Sequence, residues 1–180
     1  MSTFADRILR ALRLDPQLFE EVEMDQGALK QAAAVVILSS ASGGLGTLLP
    51  NVGLQGLLEG ILAALAGWIV WVFTIYFVGL KLIAGPMTYS NLGELLRATG
   101  FASAPGLIRI LGIFPPLRTA VFFIALFWML AAMVIAVRQA LDYSSTLQAV
   151  FVCIGGWFFQ TLIVLVILGL NGLIDSPIVR

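Results

Sequence analysis

The sequence predicts an all-α fold: a polytopic membrane helical bundle, preceded by an amphipathic N-terminal helix. The first observation is a stretch of 21 residues, Gly60–Leu80, that carries no formal charge and consists mostly of large apolar side chains. A bilayer core is about 30 Å thick, and a helix crosses it with about 20 residues. The second observation is that such stretches recur, at Thr119–Val137 and within Tyr143–Ile174.

Composition supports this class and limits the chemistry. Hydrophobic residues make up 60 % of the chain and charged residues 11 %, whereas soluble domains are nearer half apolar and a quarter charged. Ten basic and ten acidic residues cancel, so no nucleic-acid partner is predicted. The absence of His excludes imidazole ligands and His bases. Cys153 is the single cysteine and is expected to be a buried small side chain. We therefore expect no cofactor and no metal, and the lipid bilayer as a partner.

Residues 1–27 are predicted to form a cytoplasmic N-terminal segment that begins with an amphipathic helix. Thr3 and Asp6 have the spacing of a capping box. Apolar side chains three or four residues apart lie opposite the basic ones: Phe4, Ile8, Ala11 and Leu12 against Arg7, Arg10 and Arg13. Such a helix suits the headgroup boundary, where its arginines would bind anionic lipid. The alternative is a helix packed on the protein's own cytoplasmic side.

A second short helix is predicted after Asp15 and Pro16, because Asp favours the N-cap and Pro the first helical position. The acidic stretch that follows, Glu20–Asp25, is expected to be a solvated linker helix, with contact to a basic partner as the alternative. The first thirty residues contain no long apolar region, so no cleavable signal peptide is predicted.

Residues 28–174 are predicted to form the transmembrane domain, and residues 175–180 a short tail. The predicted spans are Ala28–Leu49, Leu57–Leu82, Leu92–Ile113, Arg118–Val137 and Ser145–Leu170. The first span ends in a run of small residues, SSASGGLGT. Because small residues let helices approach closely, this end is expected to pack inside the bundle.

Three polar or small positions in the second and fifth spans are candidates for structural or interaction roles. Gly56 and Gly60 form a GxxxG motif, which predicts tight helix packing. Gln160 lies near the middle of the fifth span, where its amide is expected to hydrogen-bond a neighbouring helix. Glu59 lies near the start of its span and is expected to reach the interface.

The third apolar segment, Leu92–Ile113, is predicted to be kinked or broken. Asn91 and Glu94 have capping-box spacing, and Glu94 can pair with Arg97 on a helix face. Gly100–Pro105 is expected to interrupt the helix, because Pro lacks an N–H and clashes with the preceding turn. Arg109 follows the interruption. Breaks of this kind can form a transporter's binding site; the alternative is a kinked packing helix with its charges near the interfaces.

The number of crossings depends on this third segment. Positive residues favour the cytoplasm, which places the N-terminus inside. If the third segment is re-entrant, the chain has four spans. Positive residues are then more strongly concentrated on the cytoplasmic side, because Arg97, Arg109, Arg118 and Arg180 all lie inside. The length of the segment, 22 residues, favours crossing instead. These two arguments leave both counts open.

Several ordered features point to a family. An acidic helical region leads into a Gly/Ser-rich first span, and the second span is followed by YSNLGELLRATGFASAP (Tyr89–Pro105), IFPPL, FWMLAAMVIAVRQAL and AVFVCIGGW. Over roughly Leu14 to Leu170 the chain resembles the Yip1 domain family of membrane proteins. The resemblance implies five spans, a cytoplasmic N-terminus and a C-terminus on the other side. Eukaryotic members are trafficking factors that bind Rab GTPases and each other. The short N-terminal region departs from them and is similar to compact bacterial members, which implies a bacterial inner membrane.

The sequence bears on three classes of function. The leading hypothesis is a non-enzymatic scaffold or partner-binding factor, whose partner is another membrane protein or a second copy. The alternative is a small transporter or lipid-handling protein with a polar cavity that reaches Arg97 or Arg109. A membrane-embedded enzyme is not predicted, because the acids near the spans form no motif and no catalytic residue is assigned. The candidate interaction or structural residues are Gly56, Gly60, Glu94, Arg97, Gly100, Pro105, Arg109 and Gln160.

Overall fold

The computed structural model describes residues 2–47, 53–79 and 90–174, with side chains as far as residue 162. Every regular element in these ranges is a helix. The elements are α1 (Phe4–Leu12), α2 (Pro16–Met24), α3 (Ala28–Thr47), α4 (Leu54–Phe77), α5 (Leu92–Phe101), a 3₁₀ helix (Ala104–Ile113), α6 (Pro115–Ala140) and α7 (Thr146–Ile174). Predicted features at Pro50, Lys81, Asp175 and Arg180 lie outside the described residues.

Short-range capping chemistry sets three of the helix starts, as the sequence predicted. The Thr3 hydroxyl accepts a hydrogen bond from the Asp6 N–H at the start of α1. Asp15 caps α2 through the Gln17 N–H, and Pro occupies the first turn. Before α5, the Asn91 side chain accepts from the Glu94 N–H, and the Glu94 carboxylate accepts from the Asn91 N–H. The Asn91–Glu94 capping box is therefore confirmed.

Among the residues with described side chains, three helices are long and apolar enough to cross a membrane: α3 with 20 residues, α4 with 24 and α6 with 26. The part of α7 whose side chains are described, Thr146–Leu162, is also apolar. In the most apolar window of α4 only 11 % of the residues are buried inside the chain, against 33 % for α3. Exposed apolar residues on α4 include Leu54, Leu58, Leu62, Ile69, Val70, Phe73 and Phe77. A surface this apolar suits lipid and not water.

The segment between Leu92 and Ile113 consists of two helical pieces of ten residues each. The α5 piece ends at Phe101, and the 3₁₀ piece begins at Ala104 with Pro105 in its first turn. A proline there interrupts no hydrogen bond, because the first N–H groups of a helix have no partner within it. The segment is also well covered, since Phe101, Ala102 and Ala104 are fully buried.

This segment runs alongside α3 in the same direction, with its glycines at the contacts. A Cβ on Gly100 would lie 2.6 Å from the Ala32 Cβ, and one on Gly106 would lie 2.1 Å from the Ser39 Oγ. Only glycine permits approach this close. Further along, Gly112 lies against the Gly46 carbonyl. The small-residue half of α3 therefore packs inside the bundle, as the sequence predicted.

Helix α6 returns along the other side of the 3₁₀ helix. Its Phe122 ring contacts the backbone of Gly112, and its Met129 sulfur lies beside Gly106. Helices α4 and α7 complete the bundle. Gly156 of α7 lies against Ile75 of α4, and the Tyr143 hydroxyl donates to the Gly79 carbonyl at 2.9 Å.

The N-terminal helices α1 and α2 pack on this bundle at the end where α3 begins. Leu18, Phe19 and Val22 of α2 are fully buried. The Trp128 indole N–H of α6 donates to the Leu12 carbonyl at 3.0 Å, and the Gln139 amide donates to Glu20 at 2.5 Å. The prediction of a solvated linker helix over Glu20–Asp25 holds only in part: Glu20 is exposed, whereas Val22 belongs to the core.

Candidate functional site

The joint between α2 and α5 is built around Arg97. Its side chain is buried, and its guanidinium donates to the main-chain carbonyls of Val22 and Glu23, each at 3.0 Å from Nε. A third hydrogen bond runs from Nη2 to the Glu23 carbonyl. Carbonyls in the last turn of a helix have no partner within it and carry partial negative charge. Arg97 therefore supplies the donors that the end of α2 lacks.

The predicted pair between Glu94 and Arg97 is not formed. The Glu94 carboxylate is occupied by Asn91, accepting from its main-chain N–H at 2.9 Å and from its side-chain amide at 2.6 Å. Arg97 lies three residues further along α5 and reaches α2 instead. Glu94 therefore caps the start of α5, whereas Arg97 bonds the carbonyls at the end of α2.

Ion pairs between α1 and α2 form a second polar cluster. The Arg7 guanidinium is buried and pairs with Glu21 at 3.0 Å and with Asp25 at 2.8 Å. Arg10 pairs with Asp15 at 2.7 Å and with Glu21 at 2.5 Å. Hydrogen bonds from the Ser2 hydroxyl, and then from Arg10 and Arg7, lower the pKa of Glu21 to about 2.

These pairs correct the expectation that the arginine face of α1 lies on lipid headgroups. Arg7 and Arg10 are turned toward α2, and their charges are offset by its carboxylates. Only Arg13 of the three is exposed. The alternative stated from sequence, a helix packed on the protein itself, describes the contacts of α1.

Arg109 occupies a third polar cluster, between the 3₁₀ helix and α3. Its Nη2 donates to the Ser39 carbonyl at 2.8 Å and to the Ser39 hydroxyl at 2.9 Å, and its Nε donates to the Gly106 carbonyl at 3.0 Å. Gly43 makes room, since a Cβ there would lie 3.1 Å from the Arg109 Cζ. Ser39 is near the middle of α3, well away from its ends. No carboxylate pairs with Arg109 within the described ranges.

The remaining predicted positions are not brought together. Arg97 lies beside Glu23 at one end of α3, whereas Arg109 lies beside Ser39 in its middle. Pro105 is buried at the turn between them. Gln160 lies across from Gly67 on α4, and no hydrogen bond to its amide is present in the part of the chain described.

Of the GxxxG motif, the described residues show open space at Gly60, so tight packing is not found at that position. Gly60 is exposed, and a Cβ built on it would meet nothing within 4 Å. Gly56 is half-buried. Close glycine contacts with the backbone of another element are found elsewhere, for example at Gly46 of α3 and Gly112 of the 3₁₀ helix.

A cleft that sequence reasoning missed lies beside Arg97. It has a volume of about 370 Å³ and is lined by Glu23, Ser90, Asn91, Glu94, Ala140 and Asp142. The Glu23 Oε2 atom is buried and has no hydrogen-bond partner among the described residues. Burial first, and then the charges of Asp142, Glu94 and Glu20, raise the pKa of Glu23 to about 7. The position of Glu23 on the buried side of α2 is indicated by the sequence, because Glu23 follows the apolar Phe19 by four residues and so lies on the same helix face.

The polar side chains of these clusters mostly join one element to another. Among residues 2–47, 53–79 and 90–174, no group of three His, Cys, Asp or Glu side chains is placed to hold a metal ion. Comparison with protein-family models, with curated proteins and with solved structures gives no match.

Proposed function

We propose that this chain is a non-enzymatic integral membrane protein that acts as a scaffold or partner-binding factor in membrane organisation. The observation that supports this proposal is the contact that Arg97 makes between α2 and α5. Its buried guanidinium holds the end of α2 against α5, so that the N-terminal helix pair has a set position on the apolar bundle. A partner that binds this helix pair would meet a preorganised surface, so binding would cost less conformational entropy.

The proposal includes membership of the Yip1 domain family and a place in a bacterial inner membrane with a cytoplasmic N-terminus. The resemblance over Tyr89–Pro105 supports the family. The charge of the helix pair is also relevant to its partner. Residues 2–27 contain six acidic and three basic side chains; two of the basic ones pair internally with three of the acidic ones, which leaves three acidic side chains and Arg13. The surface left for a partner is acidic.

The proposal also includes five spans, the third of them broken. Two observations support crossing by the segment Leu92–Ile113. It follows α3 in one direction, from Ala32 to Gly46, without turning back. Its length is also sufficient, since a 3₁₀ helix rises about 2.0 Å per residue and an α-helix about 1.5 Å, giving about 35 Å in total. The charge bias toward four spans is weaker than these arguments, because Arg97 and Arg109 are held by internal acceptors.

The position of the turn between α6 and α7 supports the same count. Gln139 at the end of α6 contacts Glu20, and Asp142 lines the same cleft as Glu23. With a re-entrant third segment, this turn would lie across the membrane from α2. With five crossings, the turn and α2 lie on one side.

A pair of reporter fusions tests the topology. A reporter active on one side of the membrane is placed after Asp142 and, in a second fusion, after Arg180. Five spans predict that the Asp142 fusion shares the side of the N-terminus and the Arg180 fusion does not. Four spans predict the reverse at both sites, and that result would contradict the proposed fold.

Photo-crosslinking tests the scaffold itself. A crosslinking residue at Leu62, which is 66 % exposed on α4, is compared with one at the buried Val72 of the same helix. We expect a discrete protein adduct from position 62 in native membranes and none from position 72. Lipid adducts alone from every exposed position of α4 and of α2, together with a monomeric particle in nanodiscs, would refute a partner-binding role.

Arg109 favours a second candidate, a small transporter or lipid-handling protein. Within the described residues the Arg109 guanidinium bonds only to neutral oxygens near the middle of an apolar helix, which is costly unless a further group shares its charge. An anionic lipid or solute would do so. Native mass spectrometry of the protein with added anionic lipid tests this: Arg109→Gln should lose bound lipid, and Arg13→Gln should retain it. Equal retention by both variants removes the second candidate.

A further inference from the structure

At the end of α2, the main chain and the side chain of Glu23 have opposite effects on the docking of this helix. The main-chain carbonyl of Glu23 accepts hydrogen bonds from Arg97, whereas its side chain enters the cleft that also holds Glu94 and Asp142. The Oε2 atom of Glu23 is buried there, and no donor from residues 2–47, 53–79 or 90–174 reaches it. A buried carboxylate without a partner is costly, and a neutral carboxyl is much less so.

We propose that Glu23 is a proton-dependent latch: its protonated carboxyl keeps the α1–α2 helix pair docked on α5 and α6, and its deprotonation loosens that pair. The latch adds regulation to the helix pair of the proposed scaffold. Its physical basis is internal to the chain and does not need a partner, so its test is independent of the crosslinking experiment.

Every element packed around Glu23 contributes charge to this environment. Glu20 comes from α2 itself, Glu94 and Arg97 from α5, and Asp142 from the turn after α6. The three carboxylates oppose ionisation of Glu23, and Arg97 favours it. Arg138 of α6 is directed elsewhere, with Nε donating to the Tyr143 carbonyl and Nη1 to Thr146. The net effect, with burial the largest cause, is a pKa raised to about 7.

The direction of the pH effect follows from linkage. The ordinary pKa of the Glu23 carboxyl, 4.5, applies when α2 is undocked, and the docked value is about 7. The docked state therefore binds the proton more tightly, so docking weakens as pH rises from about 4.5 to about 7 and is level above that range. Glu21, whose pKa is lowered to about 2, changes state below this window and does not interfere.

Hydrogen exchange of the α2 amides measures docking even when the docked form predominates. The purified full chain in nanodiscs is followed between pH 5 and pH 8, with rates corrected for intrinsic exchange and normalised to the centre of α6. We expect the protection of α2 to fall by about tenfold or more across this range. Protection that is level with pH would overturn the proposal.

Three variants separate the latch from other titrations. Glu23→Gln should keep α2 protected across the range, and an unaltered pH dependence in this variant would also overturn the proposal. Asp142→Asn removes one like charge and should move the midpoint to lower pH; Asn suits the positive φ of 51° at this position. An unmoved midpoint in Asp142→Asn counts against the latch. The control Glu59→Gln, on the exposed start of α4, should match the unmodified protein.

Discussion

The guanidinium of Arg97 donates to the main-chain carbonyl of Glu23, a residue 74 positions earlier in the chain. This contact links the helix pair that precedes the apolar bundle to the segment at its centre. It also uses a cation at a helix C-terminus, where the unpaired carbonyls and the helix dipole both favour positive charge. One side chain therefore connects the acidic N-terminal region with the interior of the fold.

Loss of Arg97 should release α2 from the bundle. Hydrogen bonds to a charged group contribute about 1.5–3 kcal/mol, and Arg97→Gln removes the charge and shortens the reach. We expect faster hydrogen exchange in α1 and α2 and a lower unfolding temperature in detergent, with the exchange of α6 little changed. Arg13→Gln, at an exposed arginine of the same region, serves as the control. Equal protection of α2 in the two variants would show that Arg97 does not hold the joint.

Glycine substitutions should separate packed from open positions. Gly46→Ala would place a Cβ 1.9 Å from the Arg109 carbonyl oxygen, which is backbone and cannot turn away. This variant should be strongly destabilised, with a lower unfolding temperature and poor recovery from membranes. Gly60→Ala meets nothing within 4 Å and should be neutral or stabilised by up to about 1 kcal/mol, because Ala favours helices.

The same pair of variants also examines the GxxxG motif. If Gly60 packs against a second chain in the membrane, Gly60→Ala will reduce the crosslinked adduct from position 62 without lowering the stability of the monomer. If Gly60 faces lipid, the adduct will be unchanged. Destabilisation of the isolated chain by Gly60→Ala, equal to that of Gly46→Ala, would contradict the packing described for α4.

The local parts of this fold were predictable, and the long-range polar contacts were not. The Asn91–Glu94 box depends on residues three apart, and it formed as the spacing indicates. The Gly/Ser-rich half of α3 also indicated close packing, because few other surfaces tolerate so many small residues. Arg97 could not be assigned from spacing, since both Glu94 and a distant carbonyl were available to it. The arginines of α1 were misjudged for the same reason, because their carboxylate partners belong to a separate helix.

A hydrogen bond between α4 and α5 should contribute measurably to the bundle. The Trp68 indole N–H donates to the Thr99 hydroxyl at 3.0 Å, and Thr99 is fully buried. Trp68→Phe and Thr99→Val each remove one partner, and each should cost about 1–3 kcal/mol because a buried polar group loses its partner. The double variant should cost less than the sum of the two single ones. Additive losses in chemical unfolding would show that this bond contributes nothing.

The ion pairs of Glu21 predict that the contact between α1 and α2 weakens at low pH. Hydrogen bonds from Ser2, Arg10 and Arg7 lower the pKa of this carboxyl from 4.5 to about 2. A lowered pKa contributes stability that is complete above about pH 4.5 and is lost as pH falls through about 2. Protection of the α1 amides against hydrogen exchange should therefore decline over this acid range. In Glu21→Gln the protection of the α1 amides should be lower at pH 6 and should change less as the pH is lowered. The control Glu59→Gln should follow the unmodified chain. An acid profile of α1 that is the same in Glu21→Gln as in the unmodified chain would show that other carboxylates, and not Glu21, hold the two helices together.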